Sequence, residues 1–273
     1  MNQDQVKEKL LKLYDCKEGF SVIFSGRKSR KVNGLYKPLN CEIIIHNKNF
    51  LDSDGNQNDM LLMFTAIHEL THHVLMTEKW KKSPRAHSQE FWATFHDLLD
   101  IAEKNGIYKA KIDDDTKKLI KEAREISKQI AELQRELGRV LLAIYDSCQE
   151  NGLRYEDIVE REAQIDKQSA KIAVISHRMD DQEVGADIQA EAARQRSDEK
   201  RAAIIAAGQE GKSVVQAKRS ATAAGPIDQE DEAETLTRKK KYLETAIQSL
   251  MRRLHEIKQQ LISLGEDSGG NEA

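Results

Sequence analysis

The sequence predicts an α+β chain: a small mixed domain with a short sheet and one long apolar-faced helix, followed by a long α-helical coiled-coil region. Three observations carry this. Two runs rich in β-branched residues, Phe20-Ser21-Val22-Ile23-Phe24 and Cys41-Glu42-Ile43-Ile44-Ile45-His46, precede a helical pattern that opens at Asn58. Beyond Asp113, apolar residues recur at steps of four and three from Leu119 to Ile144 without a break. The 3 prolines stand at 38, 84 and 226, so nothing between the last two forbids long helices.

Taken in order, Val6, Leu10, Leu11 and Tyr14 mark a short amphipathic helix. The two strands follow, with Asn33-Gly34 expected as a turn in the loop between them. Asn58 or Asp59 caps a helix running to about residue 79, with Met63, Ile67, Leu70 and Val74 as its core stripe. Ser83-Pro84 or Ser88 opens the next helix, which carries Phe91, Phe95, Leu98 and Ala102 and stops near Gly106.

A helix over residues 115–149 would be roughly 50 Å long at 1.5 Å per residue. Its seam is Leu119, Ala123, Ile126, Ile130, Leu133, Leu137, Val140 and Ile144, and Asn151-Gly152 ends it. A second helical stretch opens near Tyr155. Residues 208–229 are rich in Gly, Ser and Ala and read as a linker. Leu243, Ile247, Leu250, Leu254, Ile257, Leu261 and Leu264 form a further seam. The expected organisation is a mixed domain over 1–112, a helical coiled-coil arm over 113–207, a linker over 208–229 and a C-terminal coiled-coil helix over 230–266. The seams of such an elongated arm either fold back on each other or pair with a second copy, and the second arrangement would give a homo-oligomer.

Net charge is −3, which excludes nucleic-acid binding through bulk charge and leaves any anionic partner to a local patch. The 3 cysteines are far apart and form no CxxC pair, so neither a disulfide framework nor a Cys-based zinc ribbon is expected. The N-terminus is polar, and no run approaches the roughly 18 apolar residues of a membrane span. A cytoplasmic location without membrane contact is the expectation.

The chemistry concentrates in His68-Glu69-Leu70-Thr71-His72. Histidines four apart on a helix project from one face and can both reach a single cation. Glu69, beside the first of them, is placed to take a proton from a water attacking a peptide carbonyl and to pass it to the leaving amine. The bland reading is two surface histidines on an ordinary helix. A third ligand must come from a later segment, and His87 is the favoured candidate, with Glu90 as its competitor. Phe91 and Phe95 follow His87 at helical steps and can bury against the first helix, which would draw residue 87 toward the metal. His73 is rotated about 100° from His72 and is expected beside the site or on the surface. His46 ends a strand, and His96 lies too far along to share the metal.

His68-Glu69-Leu70-Thr71-His72 followed by His87-Ser88-Gln89-Glu90-Phe91 resembles the SprT-like metallopeptidases, the group of Spartan and the Wss1-type proteases. The resemblance spans about residues 20–105. Ser88 stands where the family pattern has Gly, and the Cys-rich ribbon of many relatives is absent. The resemblance implies a zincin-like domain with Zn2+ on His68, His72 and His87, and Glu69 as the base that works on a zinc-activated water. The implied partners are protein substrates, among them proteins bound to DNA.

Two basic runs lie in this half: Arg27, Lys28, Arg30 and Lys31 between the strands, and Lys79, Trp80, Lys81, Lys82 and Arg85 ahead of His87. Cations interleaved with an aromatic suit a nucleic-acid backbone with a stacked base, although runs of this size are also ordinary solvated loops. Two other functions compete with a general peptidase. One is a regulatory protease of a mobile element. The other is a coiled-coil interaction protein with an inactive zincin domain.

Overall fold

A computed structural model describes residues 1–78, 87–179, 183–223 and 232–268. The chain divides into two units: the described residues up to 223 belong to the first, and of the second the described part is one helix, 232–268.

Helix α1 (Gln3–Leu11) opens with a capping box in which Asn2 and Gln5 satisfy each other's backbone N–H groups, and it buries Val6 and Leu10. Three strands follow, β1 (Ser21–Phe24), β2 (Gly34–Lys37) and β3 (Glu42–Ile45), in the order β1-β3-β2. β1 runs parallel to β3 and β2 antiparallel to it, with Val22 and Tyr36 both in register with Ile43. Val22, Tyr36, Ile43 and Ile45 face the core. β2 corrects the expected turn at Asn33-Gly34. Four residues opening on glycine carry little strand signal, and pairing with β3 supplies what propensity does not.

Two helices complete this α+β half. α2 (Asp59–Thr77) is capped by the Asn58 side chain, which accepts from the Leu61 N–H, and it buries Leu62, Met63, Ala66, Ile67, Leu70 and Val74. α3 (Gln89–Lys104) is capped by Ser88 and buries Phe91, Phe95, Leu98 and Ala102. The alternative start at Ser83-Pro84 lies outside the described residues.

The helical half is built differently from the elongated arm expected. α4 (Asp114–Asn151) is a single 38-residue helix, capped by Asp113 and closed by Gly152 at φ 66°. A short turn of helix, α5 (Tyr155–Asp157), leads into α6 (Lys167–Arg178), α7 (Ala186–Ala193), α8 (Asp198–Gln209) and α9 (Val214–Ala223). α6 and α7 pack back on α4. The residues that α4 buries are Ala131, Gly138, Leu141 and Cys148. That row lies one residue beyond the expected seam, a rotation of about 100°. Leu119, Ile126, Ile130 and Leu133 of the seam are exposed, Leu133 at 70%. Small side chains decide the matter, because Ala131 and Gly138 let a second helix approach closely where the larger seam residues would hold it off.

Most of the expected linker is also helical. Residues 208–223 finish α8 and form α9, and α9 docks on α3. Gln216 donates to Asp97 and Asp100 at 2.8 and 2.9 Å, Ser213 and His96 share a 2.7 Å hydrogen bond, and Arg219 pairs with Asp97. These contacts are polar, so hydrophobic periodicity gave no sign of them. In the second unit, α10 (Glu232–Ser268) exposes Leu243, Ile247, Leu250, Leu254 and Ile257. The side chains of Leu261 and Leu264 lie outside the described ones. No described helix is long and apolar enough to cross a membrane.

Candidate metal centre

The site stands where α2 meets the start of α3. His68 and His72 occupy successive turns of α2, with ring centroids 5.1 Å apart. His87 comes from the residue just before the Ser88 cap, and its Nε2 lies 3.0 Å from that of His68. One ligand atom from each of the three lies within 4.8 Å of the other two. Three imidazoles converging without a carboxylate among them suit a borderline cation such as zinc, and three protein nitrogens leave a fourth position for water or substrate.

Burial of aromatic side chains holds the third residue there. Phe91 is fully buried and its ring lies 4.5–4.8 Å from those of His68, His72 and His87. Phe95 packs 5.4 Å from His68. Burying one such ring stabilises by roughly 1.5–3 kcal/mol, enough to fix the start of α3 against α2. Trp92, half in solvent, closes one side, 5.7 Å from the His87 ring. Its part in the site was not singled out from sequence; its place one step beyond Phe91 was the available signal.

Burial pushes the protonation of His68 down to about 4, helped by the nearby His87, and holds His72 at about 4 as well, helped by both neighbours. Both rings are therefore neutral, the form that ligates a metal, well below neutral pH. Glu69, the residue after His68, is buried with its carboxylate beside Gly34 of β2. Burial raises its carboxyl to about 7, while the Tyr36 backbone N–H donates to it and pulls in the opposite direction.

Glycine makes that placement feasible. A Cβ on Gly34 would stand 2.8 Å from Thr65 Cγ2 and 2.9 Å from Glu69 Oε1. Gly34→Ala is therefore expected to destabilise the protein by about 1–3 kcal/mol, as overpacking does. A denaturant midpoint unchanged from the parent protein would contradict this contact. Neither Gly34 nor the Tyr36 N–H was legible beforehand, since the strand that presents them was read as a turn.

The remaining candidates are elsewhere. Glu90 lies 3.9 Å from Arg219 of α9 and is not among the converging ligands. His73 is fully buried, and its Nε2 donates to the Glu18 carbonyl at 2.9 Å, which leaves Nδ1 to accept from the Tyr36 hydroxyl at 2.9 Å. It ties α2 to β2 and belongs to the core. His46 bonds Ser25 and His96 bonds Ser213. Arg27, Lys28, Arg30 and Lys31 sit together on the β1–β2 loop. Lys79, Trp80, Lys81, Lys82 and Arg85 lie outside the described residues.

Comparison with protein-family models, with curated proteins and with solved structures returns no match.

Proposed function

We propose that this chain is a zinc-dependent metallopeptidase with a zincin-like, SprT-like catalytic half, cutting peptide bonds of protein substrates at the His68–His72–His87 centre. The observation that carries the reading is the convergence of three histidine nitrogens within 4.8 Å, two of them from the helix that also buries Glu69. His68, His72 and His87 would hold the ion. When bound, zinc polarises a scissile carbonyl and acidifies the attacking water.

The rest of the chemistry belongs to the chain. Glu69 takes the proton of the attacking water and hands it to the leaving amine. Its carboxylate is oriented by the Tyr36 N–H and confined by Gly34. Burial raises its basicity above that of an exposed carboxylate. The exposed apolar rows of α4 and α10 favour a second reading, an interaction protein that binds another helix and uses the metal only for structure.

Zinc content and cleavage of an unfolded protein substrate separate the two. Glu69→Gln keeps the side-chain shape and can still accept from the Tyr36 N–H. It is expected to retain zinc while cleavage falls by about 10²–10⁴-fold, the usual worth of a general base. Zinc-replete protein that cuts nothing, or a Glu69→Gln variant that cuts as well as its parent, would remove the peptidase reading.

A further inference from the structure

The β1–β2 loop carries Arg27, Lys28, Arg30 and Lys31, and Lys48 stands on the neighbouring turn, Asn47–Phe50. All five are exposed, and none forms an ion pair with a described residue. The nearby Lys37, by contrast, is paired with Glu42 at 3.5 Å. The loop backbone is held in place. Asn47 accepts from the Gly26 N–H at 2.9 Å. Asn49 accepts from the Ser29 N–H at 2.9 Å and donates to the Ser29 carbonyl at 2.8 Å and to Asn33 Oδ1 at 2.9 Å. The Ser29 hydroxyl caps the N–H groups of Lys31 and Val32 at 3.3 Å each.

Like charges on a fixed loop repel one another and contribute nothing to the stability of the fold. Their location is specific. The loop runs directly into Gly34, whose backbone abuts Glu69. Lys31 is three residues away, so its Cα is within about 11 Å of Gly34, close to one Debye length at physiological salt. A chain entering the site beside Glu69 therefore passes through the field of these cations. The loop itself has no aromatic side chain on which a nucleic-acid base could stack, and a polypeptide is what the proposed chemistry brings to this rim.

We infer that the 25–33 loop, with Lys48, is a substrate-recognition surface that selects polypeptides with acidic side chains flanking the cleavage site. This rests on the peptidase reading and adds the substrate class to it. The cations act as a rim charge, raising the capture rate and affinity of acidic substrates without touching the reacting atoms.

The test uses full-length, zinc-loaded Glu69→Gln protein, so that binding is read without turnover. A fluorescein-labelled peptide of alternating Glu and Ala, its Gln/Ala counterpart, and single-stranded and duplex DNA are compared by fluorescence anisotropy at low and physiological salt. The Glu/Ala peptide is expected to bind at least about tenfold tighter than the Gln/Ala peptide, with the advantage shrinking as salt rises. Combining Arg27→Ser, Lys28→Ser, Arg30→Ser and Lys31→Ser should erase that advantage. Ser29, Asn47 and Asn49 are untouched, so the melting curve should stay where it was. Equal affinity for the two peptides overturns the inference. Tighter, loop-dependent binding of DNA overturns it in favour of a nucleic-acid surface. Cleavage by the unmodified protein keeps the two ideas apart. Peptide hydrolysis without acidic preference sinks the loop assignment alone, whereas loop-dependent binding of the acidic peptide without any hydrolysis sinks the peptidase reading and leaves the loop a binding surface for acidic peptides with no cleavage to serve.

Discussion

His87→Ala is expected to strip the protein of zinc, while Glu90→Ala leaves it fully loaded. With His87 gone, two histidines on one helix remain, and two ligands hold an ion poorly in an open site. The loss should exceed the roughly 10–100-fold that removing a ligand's supporting hydrogen bond costs. Glu90 lies toward Arg219, so its truncation should cost no more than the 0–1 kcal/mol or so of a partly exposed ion pair and should not touch the metal. Competition with a chromophoric chelator reads both affinities directly. Full occupancy in His87→Ala with loss in Glu90→Ala would replace the three-histidine centre by one with a glutamate ligand. The same measurement bears on the fold of the site, because the packing of Phe91 and Phe95 helps to bring residue 87 across to α2.

The second large effect is expected at Gly138, in the crossing of α4 and α6. On an isolated helix, Gly→Ala is stabilising by about 1 kcal/mol, because glycine lacks helix propensity. Here a Cβ would stand 2.6 Å from the Ala173 carbonyl carbon and 2.7 Å from His177 Cβ, inside the α4–α6 crossing. The neighbour is backbone and cannot rotate away. Gly138→Ala should therefore destabilise by about 1–3 kcal/mol, and Gly138→Val, bulkier and β-branched, by more. The sign decides: stabilisation by Gly138→Ala in urea unfolding would mean that the two helices do not cross closely in solution. As a control, Leu133→Ala on the exposed row of the same helix should shift stability by no more than about 0.5 kcal/mol.

The contrast between Gly138 and Leu133 shows what the sequence by itself determined and where it stopped. Local rules placed α1, β1, β3, α2, α3 and the start of α4, because caps such as Asn58 and Ser88 and runs such as Ile43-Ile44-Ile45 act within a few residues of themselves. The HExxH spacing placed His68 and His72 on one helix face for the same reason, a period of 3.6 residues. Tertiary structure decided the rest. β2 exists through its pairing with β3, and with it come Gly34 and the Tyr36 N–H that hold Glu69. The long row from Leu119 to Ile144 had the stronger periodic signal, yet the helix fully buried the row beside it, and of the long row Leu137 and Ile144 are half-buried against that core. Helix–helix contact follows from how closely two backbones can approach, and Ala131 and Gly138 set that distance. The docking of α9 on α3 rests on Arg219, Gln216 and Ser213, polar residues whose partners are more than a hundred positions away. Periodicity records which face of an element is apolar; the choice of neighbour depends on shape and hydrogen-bond geometry, which exist only once the chain has folded.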